Sequence, residues 1–178
     1  MSKTRGENSV ILYHGTYLDF DKIDLSKCEP YKDFAKGFYT TTIYPQAVRM
    51  AQRKAKIHGG APVVITYEIC DDVLELKDLN IKQFASATKD WAVFVINNRN
   101  IDFNDFNSPL CNTDSKYDVV YGPVANDTLT TLIERFTKGY IDTATLIKEM
   151  EYHAPSNQYS FHTEKAVKLL KKVKSEWI

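Results

Sequence analysis

Short apolar runs broken by polar turns set the pattern of this chain. Val10-Ile11-Leu12-Tyr13 is β-rich, so Ser9 to Tyr13 is predicted as a first strand, behind a flexible lead at residues 1–8. Asp19 to Lys32 is polar and turn-rich. Phe38 to Thr42 is aromatic and β-branched and reads as a second short strand. Pro45 suits the first turn of a helix, Val48, Ala51 and Ala55 mark its apolar face, and Gly59-Gly60 ends it. Val63 to Ile69 is the clearest strand, and Leu74 to Leu79 reads as another. Asp90 to Asn98 is apolar on most sides. Its β propensity competes with polar flanks that favour a helix, and a helix is the expectation.

Asn100 to Lys116 is rich in Asn and Asp and reads as a loop. Tyr117 to Tyr121 is a strand stopped by Gly122-Pro123. Asn126 or Asp127 caps a helix running to about Lys138, and Gly139 breaks it. Asp142 caps a further helix ending near Tyr152. Pro155 precedes a strand from Gln158 to His162. Thr163 then caps a last helix with Ala166, Val167, Leu169, Leu170 and Val173 on one face, and Lys168, Lys171, Lys172 and Lys174 on a solvated one. Strands and helices mix without regular alternation, and no repeat or linker interrupts them. The prediction is one α+β domain over residues 1–178, not a doubly wound parallel sheet.

Composition narrows the class. Hydrophobic residues at 43% and charged ones at 26% are those of an ordinary globular chain. Lys plus Arg and Asp plus Glu are both 23, so the formal net charge is zero, and no general electrostatic pull towards nucleic acid or anionic membrane exists. Cys28, Cys70 and Cys111 are far apart and include no C-x-x-C pair; His58, His153 and His162 lack ligand spacing, so no metal site is expected. The polar start and the absence of a long apolar run lead to the expectation of a soluble cytoplasmic protein.

Candidate chemistry lies in three blocks. His14-Gly15-Thr16 can aim an imidazole into a cleft and let a ligand approach the backbone at Gly15, although the same residues suit a core histidine and a turn. Asp33 to Thr41 (DFAKGFYTT) holds Lys36-Gly37, which permits a close approach, and Tyr39, whose ring can stack on a flat heterocycle; an edge strand with a core aromatic pair is the plainer reading. Asn157 to His162 carries Gln158, which can bond a hydroxyl but brings no charge. Tyr117 to Asp127 is a strand, a turn and a helix start, whose amides suit an anion or simply an N-cap.

In this order the blocks resemble the NAD-binding core of the ADP-ribosyltransferase superfamily, in its His-Tyr-Glu branch, with its H-G-S/T and G-K-G-x-Y motifs. A narrower resemblance is to the bacterial family called domain of unknown function 3990. It rests on Leu12 to Thr16, Asp33 to Thr41, Trp91 to Arg99, Tyr117 to Asp127 and Gln158 to Thr163, and spans nearly the whole chain. Ala35 stands where that family usually has Gly, and Asn126 where Asp is common. Against the superfamily, Gln158 replaces Glu; an alternative alignment puts Ser160 at that position.

The resemblance implies two small, facing, mostly antiparallel sheets with flanking helices and an NAD cleft between them. It implies NAD as cofactor, bound by His14, Gly15, Thr16, Phe38, Tyr39 and Thr41, with Gln158, His14 and Tyr39 catalytic. NAD glycosidic cleavage passes through an oxocarbenium-like ribose that a carboxylate stabilises. Glu164, Asp118 and Asp127 are the candidates for such a charge. The implied activity is mono-ADP-ribosylation of a macromolecule, protein or nucleic acid, as in a bacterial toxin held by an antitoxin partner. A non-catalytic NAD or ADP-ribose binding module and an NAD glycohydrolase are the alternatives.

Overall fold

The computed structural model describes residues 8–153 and 156–178. Its first half contains β1 (Ser9–Thr16), β2 (Phe38–Thr40), α1 (Tyr44–His58), β3 (Val63–Cys70), β4 (Ile81–Gln83) and α2 (Lys89–Arg99). The second half contains β5 (Val119–Pro123), α3 (Asp127–Thr137), α4 (Thr143–Tyr152), β6 (Asn157–Phe161), α5 (Glu164–Val167) and β7 (Lys171–Trp177). The β-branched run of β3 is the centre of a three-stranded antiparallel sheet, β1-β3-β7. The other sheet has the order β2-β6-β5-β4, antiparallel except for the β4–β5 pair. The predicted α+β class with two mostly antiparallel sheets is what the chain forms.

Alternation along each strand builds the layers. Leu12, Ile65, Tyr67 and Ile69 of the first sheet meet Phe38, Val119 and Phe161 of the second in a shared core. Full burial of each such aliphatic or aromatic side chain stabilises by about 1.5–3 kcal/mol. The opposite face of the second sheet is covered by α2, α3 and α4, through Trp91, Phe94, Leu129, Leu132, Leu146 and Met150. The outer face of the first sheet takes α1, whose Ala47 and Ala51 lie against Val64. No helix among the described residues is long and apolar enough to cross a membrane.

Most element boundaries fall where punctuation residues stand. Pro45 lies in the first turn of α1, and Gly59 follows its end at φ 81°. Thr88, Asn126, Asp142 and Thr163 each cap a helix by accepting a backbone N–H. Four expectations fail. Gly122-Pro123 does not stop a strand but belongs to it, since β5 pairs them with Gln158 and Asn157 of β6. The last helix is only α5, one turn, and residues 171–177 form β7. Ala166, Val167 and Leu170 do enter the core, but Val173 is exposed, because β7 fills the open edge of β3 and backbone pairing outweighs helical periodicity. The lysines there do not line a helix; Lys172 bonds Asp19 and Asp21 from the strand. Leu74 to Leu79 is no strand but a single 3₁₀ turn, Val73–Glu75, and a loop, while the strand forms at β4. Pro155 and residues 1–7 of the expected lead lie outside the described residues.

The first strand runs on through His14-Gly15-Thr16, opposite Ile65, Val64 and Val63. Gly15 is what lets α1 sit on it. A Cβ there would lie 2.0 Å from the Ala47 carbonyl oxygen and 2.7 Å from the Ala51 nitrogen. Gly15→Ala therefore pushes the helix backbone off the sheet. The expected cost is about 3 kcal/mol, read from equilibrium urea unfolding, and a loss below about 1 kcal/mol would show that α1 can yield.

Candidate functional site

The two sheets meet and part along one strand edge. The Tyr13 N–H donates to the Thr41 carbonyl at 2.8 Å, and the Thr41 N–H returns a bond to Tyr13 at 3.0 Å. In an antiparallel ladder the next mutual pair would be Gly15 with Tyr39. It does not form. His14 Nδ1 takes the Tyr39 carbonyl instead, at 2.7 Å. Alternation points the Gly15 N–H and C=O the same way as those of Tyr13, towards β2. No described residue bonds them there, so the split opens with a donor and an acceptor on Gly15 and a donor on the Tyr39 amide.

A carbonyl can only accept, so His14 carries its proton on Nδ1 and presents an unprotonated Nε2 with no hydrogen-bond partner among the described residues. Burial, reinforced by the nearby Lys54 charge, lowers its pKa to about 3, which keeps the ring neutral at pH 7. Phe38 stacks on it at 4.2 Å between centroids. Phe38 itself is in the core between the sheets, so it supports His14 and does not face the split.

Tyr39 lies on the other face of β2, against Phe34. Its hydroxyl donates to the Ala35 carbonyl at 2.7 Å and accepts from the Phe34 N–H at 2.9 Å. Burial, then the Asp33 charge, hold the phenol well above its ordinary pKa, so it remains a donor. The ring is thereby fixed at its tip, and the residue as a whole is half-buried. Ala35 aims its carbonyl at Tyr39 by adopting φ 73°, the left-handed region that glycine occupies without strain. A glycine at this position would carry no such strain. Ala35→Gly should stabilise the protein by about 1 kcal/mol, read from denaturant midpoints; a destabilised variant would contradict it.

His162 holds the same loop from below. Its Nδ1 donates to the Lys36 carbonyl at 2.8 Å, and its Nε2 accepts from Ser160 Oγ at 2.8 Å. Burial lowers its pKa to about 4. A Cβ on Gly37 would lie 2.5 Å from His162 Nδ1, so this glycine serves the histidine's approach. Ser160 is fully buried.

Gln158 is two residues from Ser160, which pairs with Tyr39, so it shares the Tyr39 face. Its Nε2 donates to Asp33 Oδ2 at 2.9 Å, and its Oε1 has no hydrogen-bond partner among the described residues. The same Asp33 oxygen accepts the Ala125 N–H at 2.9 Å. Asp33 Oδ1 accepts Arg99 Nε at 3.0 Å and also Arg99 Nη2. Arg99 continues to Thr130 Oγ1 at 3.0 Å and the Ala125 carbonyl at 3.3 Å. One buried carboxylate thus ties the 33–41 loop to α2, to the turn before α3, and to β6.

His14 and Tyr39 meet at the β2 edge through the Tyr39 carbonyl, with the His14 ring on one face of β2; Gln158 lies on the neighbouring inner strand β6 and shares the opposite, Tyr39 face. Neither the groove of about 610 Å³ lined by Ser86, Lys89, Met150 and Asn157 among others, nor the hollow of about 290 Å³ beside Tyr67 and Glu164, is lined by any of the three. Thr41 Oγ1 bonds Gln46 at 2.6 Å and accepts the Ile43 N–H, so it serves the start of α1. Thr16 accepts a long 3.4 Å bond from Leu18. Asp118 is occupied by Thr163 and Asn80, while Glu164 and Asp127 are exposed on α5 and α3. None of these three acids bonds Gln158. The acid that does, Asp33, was missed by sequence reasoning, as were Arg99 and Thr130; an Asp in front of a buried Phe and an Arg closing an apolar helix were the available signals.

The chain is an α+β protein whose facing sheets part at a single edge furnished with His14, Gly15 and Tyr39. It belongs to the family described as Protein of unknown function (DUF3990), whose model matches residues 10–172. No curated protein and no solved structure matches the chain.

Proposed function

We propose that the protein is an NAD-dependent mono-ADP-ribosyltransferase that holds nicotinamide in the split between β1 and β2. The observation that carries this reading is the unmade Gly15–Tyr39 pair. It leaves one N–H and one C=O on Gly15, the complement of a primary carboxamide. The Tyr39 ring offers a flat surface beside them, and Gln158 Oε1 offers an acceptor for a ribose hydroxyl. Nicotinamide would leave with the glycosidic electron pair, and C1′ of the ribose would bond to the nucleophile of an acceptor macromolecule, protein or nucleic acid. An antitoxin partner belongs to this reading if the transfer is toxic to the cell.

One observation favours a second reading, a binding module. The carboxylate nearest Gln158 is already paired with Arg99, so its charge is compensated before any ribose cation forms. Single-turnover release of nicotinamide from NAD, with and without cell lysate, separates the readings. A transferase labels a lysate component, a glycohydrolase needs no lysate, and a binder releases none. Within either NAD reading, Tyr39→Ala should weaken NAD binding by about 1 kcal/mol more than Tyr159→Ala, because Tyr159 packs against Tyr121 on the opposite face of the sheet. Equal affinities in calorimetric titration would remove Tyr39 from the site.

A further inference from the structure

We propose that Asp33 is a positioning residue that locks the Gln158 side-chain amide in one orientation, so that the site presents an acceptor only and selects a ribose 2′-hydroxyl over 2′-deoxyribose. The selection half rests on the NAD reading above; the lock does not.

An ionised carboxylate can only accept, so the group of Gln158 that faces Asp33 at 2.9 Å is the NH₂. The reverse orientation would set two acceptors against each other. Asp33 cannot turn away to permit it. Its Oδ1 is held by Arg99, and its Oδ2 by the Ala125 N–H, itself part of the backbone. Gln158 is 8% exposed, which leaves its side chain little room to rotate. Oε1 then points away from Asp33. The only buried side-chain polar atoms without a partner among the described residues are Thr66 Oγ1 and Tyr67 OH. Oε1 has no partner and is not one of them, so it reaches the surface.

A glutamine normally offers donor and acceptor alike. Here the donor is consumed, and what remains is one oxygen with a fixed direction, like the acceptor of a carboxylate without its charge. A ligand hydroxyl satisfies that oxygen; a C–H in its place leaves it desolvated and unpaired. Gln158→Glu is not a gain in this setting, because it places a second carboxylate against Asp33 at hydrogen-bond distance.

Calorimetric titration of the full chain with NAD, and with the analogue lacking the 2′-hydroxyl on the nicotinamide ribose, tests the selection. Wild type should prefer NAD by about tenfold. Asp33→Asn should reduce the preference below about threefold, since an amide at 33 can donate or accept and no longer dictates the Gln158 orientation. A folded Asp33→Asn that keeps the wild-type ratio overturns the proposal. The lock is read without ligand from the Gln158 side-chain amide resonances, assigned by their loss in Gln158→Met. In wild type one of its protons should be shifted downfield and exchange slowly with solvent. Resonances like those of an exposed glutamine overturn the proposal, whether or not Asp33→Asn folds. If neither nucleotide binds while the amide signature is present, the lock stands and the NAD reading falls.

Discussion

Asp33→Ala is expected to destabilise the protein by about 3–4 kcal/mol. The carboxylate fills all of its acceptor positions: two bonds from Arg99 on one oxygen, and bonds from Ala125 N–H and Gln158 on the other. Removing it leaves a guanidinium without its counter-charge and a buried backbone N–H without an acceptor. The Arg99 side chain is 31% exposed, so water recovers part of its solvation, which places the loss at the lower end for a broken buried ion pair. Ala125 has no such recourse at 8% exposure. The cost falls on tertiary structure because the three partner residues come from three segments separate from that of Asp33. Urea unfolding at neutral pH gives the value. Arg99→Met in the Asp33→Ala background should recover part of it, since the orphaned charge goes while the Ala125 amide stays unmet. A single variant within about 1 kcal/mol of wild type would mean that the network adds little to what the apolar layers already fix.

That network also marks where the sequence could be read and where it could not. Local signals were legible because local chemistry writes them. Pro45 and Gly59 bracket α1, Asn126 and Asp142 cap their helices, and the β-branched run at β3 could be little else. The α+β class followed from the order of such elements. The family, too, was legible in blocks of named residues, and its model covers them. Lys171–Trp177 was misread because an amphipathic count cannot see an empty strand edge. The period of Ala166, Val167 and Leu170 is genuine, but β3 offers a ladder of N–H and C=O groups that only an extended segment can use. In the site, His14, Tyr39 and Gln158 could be named singly, yet not their faces. That His14 Nδ1 replaces a backbone donor, and that Asp33 speaks for Gln158, depend on pairs 25 and 125 residues apart. A single sequence holds no record of such pairings.

Acid should loosen this site before it touches the carboxylates elsewhere. In an unfolded chain both His14 and His162 titrate near pH 6.5, whereas burial holds them at about 3 and about 4 in the folded protein. Between these values the unfolded chain binds more protons than the folded one, so stability falls as the pH falls. The contribution of the neutral rings is fully present above about pH 6.5 and is lost progressively down to the folded values. At pH 5 the two together remove about 4 kcal/mol relative to pH 7.5. Asp19, Asp24 and Asp142, held low by hydrogen bonds from Lys172, Ser26 and Thr145, lose their contributions only at about pH 4 and below. The histidine loss therefore comes first on acidification. Both rings hold β2 and its approach, through the carbonyls of Tyr39 and Lys36, so the cost of burying a charged imidazolium falls beside the segment that lines the split. Urea unfolding at pH 7.5, 6.5, 5.5 and 5 should trace the decline, and His162→Gln, which removes one of the two titrating rings, should roughly halve its slope. A stability unchanged between pH 7.5 and 5 would mean that neither imidazole is desolvated as its burial requires.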